Sequence, residues 1–139
     1  MTESDFWLQV KANVPGHLIR IENLAGVGTP DVNACHNGIE CWLELKVAKG
    51  HQIYFRAAQV VFMTRRVAEK GRVFVLVKYD KQLLLFTGEE LVAISDKLET
   101  VKKGVQKLHI SEIRACWMLD GKAWQSVADI IYSKVPYCQ

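Results

Sequence analysis

No uninterrupted apolar run in the sequence approaches the ~18 residues that a membrane-spanning helix requires. The first residues, Met1-Thr-Glu-Ser-Asp5, are acidic and lack the basic-then-apolar pattern of a secretory leader. The expectation is a cytoplasmic chain with no membrane partner. Proline is scarce, with three in 139 residues, and no proline- or serine-rich linker, low-complexity stretch or internal repeat divides the chain. That length fits one domain and a core that needs no disulfide or metal staple. The four cysteines, Cys35, Cys41, Cys116 and Cys138, include no Cys-x-x-Cys pair. With no export signal they are expected to stay reduced. Cys35, His36 and Cys41 lie close together in sequence but lack zinc-ligand spacing, so they read as small apolar thiols. Half of the residues are apolar and 24% are charged, a composition that indicates a folded chain and neither disorder nor a coiled coil.

The net charge of +3 says little, but its distribution says more. Residues 1–44 carry two basic side chains, Lys11 and Arg20, against six acids. Residues 45–72 carry seven basic side chains against Glu69 alone. Acids beside a basic run suit a phosphodiester-cleaving site, where carboxylates hold cations and lysines and arginines grip phosphates. A basic run is equally the solvated face of a helix, so charge alone leaves both readings open.

Along the chain, Thr2 or Ser4 caps a helix that runs to about Asn13 and stops at Pro15-Gly16, with Phe6 and Val10 on its buried side. His17–Asn23 reads as extended. Gly26–Asp31 is turn chemistry, then Asp31–His36 and Cys41–Val47 form a hairpin about Asn37-Gly38. In the second arm Cys41, Leu43, Leu45 and Val47 point one way, and Trp42, Glu44 and Lys46 the other. Ile53–Lys70 is predicted as one helix of about five turns ended by Gly71. Val73–Val77 is a central strand paired with Gln82–Phe86. Leu91–Lys97 and Trp124–Ser133 read as helices, and Glu99–Ile113 stays ambiguous. The class is α/β with a mixed sheet.

Three residues carry the chemistry. Glu44 and Lys46, two apart in a strand, project from one face about 7 Å apart. The hairpin brings Asp31 beside Glu44. Neighbouring carboxylates repel, and a divalent cation between them relieves the repulsion; oxygen ligands of this kind suit Mg²⁺ or Mn²⁺. Lys46 then sits where it orients a water or offsets developing charge. An ordinary amphipathic edge strand would also read Glu-x-Lys, and it is the preceding Pro30-Asp31 and the hairpin that favour the site.

Gly28-Thr-Pro-Asp31, then Trp42-Leu-Glu44-Leu-Lys46, then a segment carrying Gln59 resembles the PD-(D/E)xK nuclease superfamily. Within it the likeness is to small phage-type VRR-NUC enzymes and archaeal-type Holliday-junction resolvases, over roughly residues 1–78. The resemblance implies a restriction-endonuclease-like core, a central mixed β-sheet flanked by helices. It implies a metal-dependent endodeoxyribonuclease that leaves a 3′ hydroxyl and a 5′ phosphate on double-stranded or branched DNA. By matching position, Asp31 and Glu44 are the metal ligands with the Leu45 carbonyl, Lys46 is the catalytic lysine, and Gln59 is the family's helix glutamine. The family's additional acid falls on Glu3, with Glu22 as rival. Arg20, Lys49, His51 and Arg56 are the candidate phosphate contacts, and Trp7, Trp42 and Tyr54 stack on bases or pack in the core. Junction resolution would require a homodimer, whereas nicking would not. The motif-bearing core covers about 1–86, and 87–139 is an extension to which the sequence assigns no chemistry. The rival reading is a DNA-binding or assembly module without turnover.

Overall fold

The computed structural model describes residues 1–21 and 28–134; Glu22, the Gly26 end of the glycine turn and Cys138 lie outside them. Helix α1 (Glu3–Asn13) begins where the sequence expects. The Thr2 hydroxyl accepts from the Asp5 N–H at 3.1 Å, and the Asp5 carboxylate accepts from the Thr2 N–H at 2.9 Å, a reciprocal cap. Strands β1 (His17–Arg20), β2 (Val32–His36) and β3 (Ile39–Val47) follow as an antiparallel meander. Its β2–β3 turn places Asn37 and Gly38 at φ 50° and 80°, the left-handed pair that a two-residue hairpin of this twist requires.

The next segment departs from expectation. The single helix predicted over 53–70 is instead β4 (Gln52–Arg56) followed by α2 (Ala57–Ala68). Ile53 and Phe55 are buried while Tyr54 and Arg56 point outward, so the first five residues keep a strand's period of two. At the helix end Lys70 adopts φ 65°, its N–H bonds the Val67 carbonyl, and the Gly71 N–H bonds Arg66. Gly71 is thus one residue beyond the left-handed position.

Strand β5 (Val73–Tyr79) pairs parallel with β3 and antiparallel with β6 (Gln82–Thr87). Helix α3 (Gly88–Ala93) starts earlier than expected, capped by the Thr87 hydroxyl, and a short 3₁₀ turn occupies Ser95–Lys97. The ambiguous 99–113 stretch is a hairpin, β7 (Glu99–Lys102) and β8 (Val105–His109), and a 3₁₀ turn. Strand β9 (Trp117–Asp120) and helix α4 (Trp124–Ile131) close the described chain.

The architecture is a mixed α/β fold with a central mixed sheet flanked by helices. Its six strands run β1-β2-β3-β5-β6-β9, and a separate antiparallel sheet runs β4-β8-β7. One face of the central sheet buries Phe6 and Val10 of α1 and Val127 and Ile131 of α4 against Leu43, Leu45, Phe74 and Leu76. Each such large side chain contributes about 2 kcal/mol on burial. The other face packs Val73, Val75, Val77 and Phe86 against Met63 of α2, Leu91 of α3, and Ile53, Phe55 and Leu108 of the small sheet. Residues 87–134 therefore complete both layers. No helix among the described residues is long and apolar enough to cross a membrane.

Candidate active site

The site grows out of the alternation of β3. Cys41, Leu43 and Leu45 go into the α1–α4 layer, which leaves Glu44 and Lys46 on the side of α2 and the small sheet. Val32 pairs with Leu43, so Asp31, one residue before β2, stands opposite Glu44 on that same side. The Leu45 N–H donates to Asp31 Oδ2 at 2.8 Å and ties the bend to the strand. In a strand the N–H and C=O of one residue point to the same side, so the Leu45 carbonyl points toward the β2 edge as well, past the last β2 pair.

Gln59, in the first turn of α2, completes the set. Its Nε2 donates to Glu44 Oε1 at 3.1 Å, while its Oε1 accepts from Lys46 Nζ at 3.0 Å and from the Arg56 N–H at 2.9 Å. The amide is orientated by donor on one side and acceptor on the other. Lys46 Nζ also lies 3.7 Å from Glu44 Oε1 and 4.8 Å from the centre of the Phe55 ring. Glu44 is fully buried and Lys46 is 5% exposed.

Glu44 Oε2 is buried without a hydrogen-bond partner. Burial, and next the adjacent charge of Asp31, push the Glu44 carboxyl well above its ordinary value, with Lys46 pulling the other way. Such an orphaned, crowded oxygen is what a cation would satisfy. Among the described residues no three His, Cys, Asp or Glu side chains converge to hold a metal. The donors on offer are two carboxylates and the Leu45 carbonyl. That set fits a hard divalent ion that keeps most of its waters, as Mg²⁺ does.

Asp31, Lys46 and Gln59 open onto a cleft of about 880 Å³, with the buried Glu44 bonded behind them. Glu3, Asp31, Lys46 and Gln59 line it, and so do three of the four candidate phosphate contacts, Arg20, Lys49 and Arg56. Glu3 is exposed as a residue, but partial desolvation at the cleft raises its carboxyl above the ordinary value; Lys46 works against this and Asp31 with it. Arg20 is braced by a 3.3 Å bond from its guanidinium to Ser4 Oγ. His51 is not among the lining residues: its ring bonds the Tyr79 hydroxyl and lies beside His109. Trp7 is in the core, and Trp42 packs edge-on against Phe62 with Arg66 above it, so only Tyr54 of the three aromatics reaches the cleft.

No protein-family model matches the chain. No curated protein matches it either. Among solved structures, a Holliday junction resolvase named Hjc from the archaeal hyperthermophile Archaeoglobus fulgidus is similar, with a TM-score of 0.49 and 23% identity. The likeness covers 80% of this chain and 83% of that one.

Sequence reasoning missed one wall of the cleft. Val101, Lys102 and Val105 of the β7–β8 hairpin line it together with the acidic residues. The signal was present, because Lys103-Gly104 is a turn pair flanked by Val101 and Val105. Of the three described cysteines Cys41 is buried, and Cys35 and Cys116 are partly exposed. Burial pushes the Cys41 thiol up to about 12, away from the reactive thiolate.

Proposed function

We propose that the chain is a Mg²⁺- or Mn²⁺-dependent endodeoxyribonuclease acting on double-stranded or branched DNA. The observation that carries this reading is the single hydrogen-bonded set of Glu44, Gln59 and Lys46 beside Asp31, which reaches a basic cleft through Asp31, Lys46 and Gln59. In it Asp31, Glu44 and the Leu45 carbonyl hold the cation. When bound, the cation supplies an activated water and neutralises charge on the phosphate.

The chain's own groups do the rest. Gln59 fixes both Glu44 and Lys46, so the ammonium is aimed without the entropy cost of a free lysine. Lys46 donates to an oxygen at the reacting phosphate as negative charge develops there. Arg20, Lys49 and Arg56 bind flanking phosphates and set the register of the strand, without reading sequence. Glu3 adds a carboxylate at the rim of the same cleft.

The test is cleavage of supercoiled plasmid and of branched DNA with Mg²⁺ or Mn²⁺, repeated on Glu44→Ala. Metal-dependent nicking or cutting that Glu44→Ala abolishes is the expected result. Equal activity in the variant overturns the site. Salt-sensitive binding with no product under any metal would leave a DNA-binding module without turnover.

A further inference from the structure

The β7–β8 hairpin has a feature that its length does not require. Thr100 pairs with Gln106 and Lys102 with Val105, so Val101 is an extra residue, a β-bulge. In a regular strand Val101 and Lys102 would face opposite sides, yet both line the cleft. The bulge re-aims them, and it leaves Val101 an exposed apolar side chain, 51% accessible. The hairpin is also anchored. β8 pairs with β4 over its whole length, and the Gly104 carbonyl accepts from the Ala57 N–H at 2.9 Å, at the start of the helix that carries Gln59.

The cleft thus gathers cationic side chains from separate elements, Arg20 on the central sheet and Lys102 on the hairpin, together with Asp31 and Lys46. Tyr54 lines the gap, with Lys49 Nζ 5.6 Å from its ring centre. The volume, about 880 Å³, lies in the ~300–1,000 Å³ range that encloses one small-molecule ligand. It has room for a short stretch of one strand beside these groups. A basic groove with an aromatic side chain and sequence-neutral apolar contacts is the physical form of a single-strand site.

We propose that the β7–β8 hairpin is a strand-gripping arm that seats one unpaired DNA strand against the acidic cluster. Lys102 contacts its backbone and Val101 packs on a sugar or base. The proposal rests on the reading of the cleft as a DNA site and narrows the substrate to DNA with an unpaired or splayed arm.

The experiment is fluorescence anisotropy in chelator, where no cutting occurs, with three labelled DNAs: a splayed fork, its single strand and the blunt duplex. The wild-type chain binds fork and single strand at least tenfold tighter than blunt duplex. Lys102→Ala weakens fork binding about threefold to tenfold and lowers the salt slope by about 0.7, the loss of one single-strand phosphate contact. Lys102→Arg restores both, and Val101→Asp weakens fork binding without changing the unfolding temperature of the apo chain. Blunt duplex bound as tightly as the fork, or Lys102→Ala matching wild type in affinity and slope, overturns the proposal. Cleavage assays on the same DNAs with Mg²⁺ judge the nuclease reading separately. Fork binding that depends on Lys102 with no product under any metal sinks that reading and leaves the arm. Product with an indifferent Lys102 does the reverse.

Discussion

Asp31 and Glu44 stand side by side on one face of the central sheet, and the second of them is fully buried with one oxygen unpartnered. Two acids in that arrangement are an energetic liability to the chain without a cation. The fold tolerates it because Gln59 and Lys46 satisfy the other Glu44 oxygen.

That liability sets a pH dependence. The Glu44 carboxyl is raised in the folded chain from its ordinary 4.5, so folded molecules hold a proton that unfolded ones have released. Stability from this group is therefore fully present below the ordinary value and is lost as pH rises through the raised one. In chelator, Glu44→Gln removes this loss, so the variant gains in unfolding temperature on wild type between pH 5 and pH 8. Millimolar Mg²⁺ or Mn²⁺ at pH 8 raises the wild-type temperature more than that of the variant. Thermal scans at the two pH values, with and without metal, decide it; parallel profiles for the two proteins would refute it.

Gln59 acts through its neighbours. Gln59→Ala removes bonds to Lys46, Glu44 and the Arg56 N–H together, and leaves two buried charged groups short of a partner. We expect cleavage to fall about 10- to 100-fold with DNA affinity in chelator unchanged, and stability to fall by about 1–3 kcal/mol. Lys46→Met lowers the rate at least as far. The double variant is little worse than Lys46→Met alone, because the glutamine's main task is to hold the lysine. Single-turnover rates for the four proteins measure this, and fully additive losses would refute it.

The parts of the fold that were legible in the sequence are those whose signals are local. The Asn37-Gly38 turn and the clean alternation from Cys41 to Val47 placed Glu44, Lys46 and, through the hairpin, Asp31. The strand at 52–56 was hidden by a coincidence of periods. Ile53 and Ala57 are four apart, which a helix stripe and two steps of a strand satisfy equally. What makes it a strand is pairing with β8, some fifty residues on, which no local pattern reveals. The same distance hid Lys102 from the site, since the hairpin reaches the cleft only because β8 docks on β4. Gln59 was recognisable by resemblance, but its pair of hydrogen bonds, donated to Glu44 and accepted from Lys46, depends on where α2 starts.

Glu3 offers a separate test at the cleft rim. Its carboxyl shares the space with Asp31 and Lys46, and Glu3→Gln leaves the Thr2–Asp5 cap in place. The expected outcome is an increased Mg²⁺ concentration for half-maximal cleavage, with rates recovering toward wild type at saturating metal. A metal titration identical to wild type would remove Glu3 from the cation's surroundings.

Gly28 joins the turn before Asp31 to the helix that carries Gln59. It has φ 93°, and a Cβ there would lie 2.2 Å from the Ala58 carbonyl oxygen, a backbone atom with no room to retreat. Gly38 has a similar φ of 80° but nothing within 4 Å. Both pay the left-handed penalty of about 1 kcal/mol on substitution by alanine. Only Gly28→Ala must also push the Asp31 approach away from α2. Gly38→Ala is therefore expected to lose about 1 kcal/mol and keep full cleavage activity. Gly28→Ala loses at least twice that and lowers cleavage under conditions where it remains folded. Chemical denaturation of both variants, with activity assayed below the unfolding transition, distinguishes them. Equal stability losses would show that the Gly28–Ala58 approach places no constraint on the site.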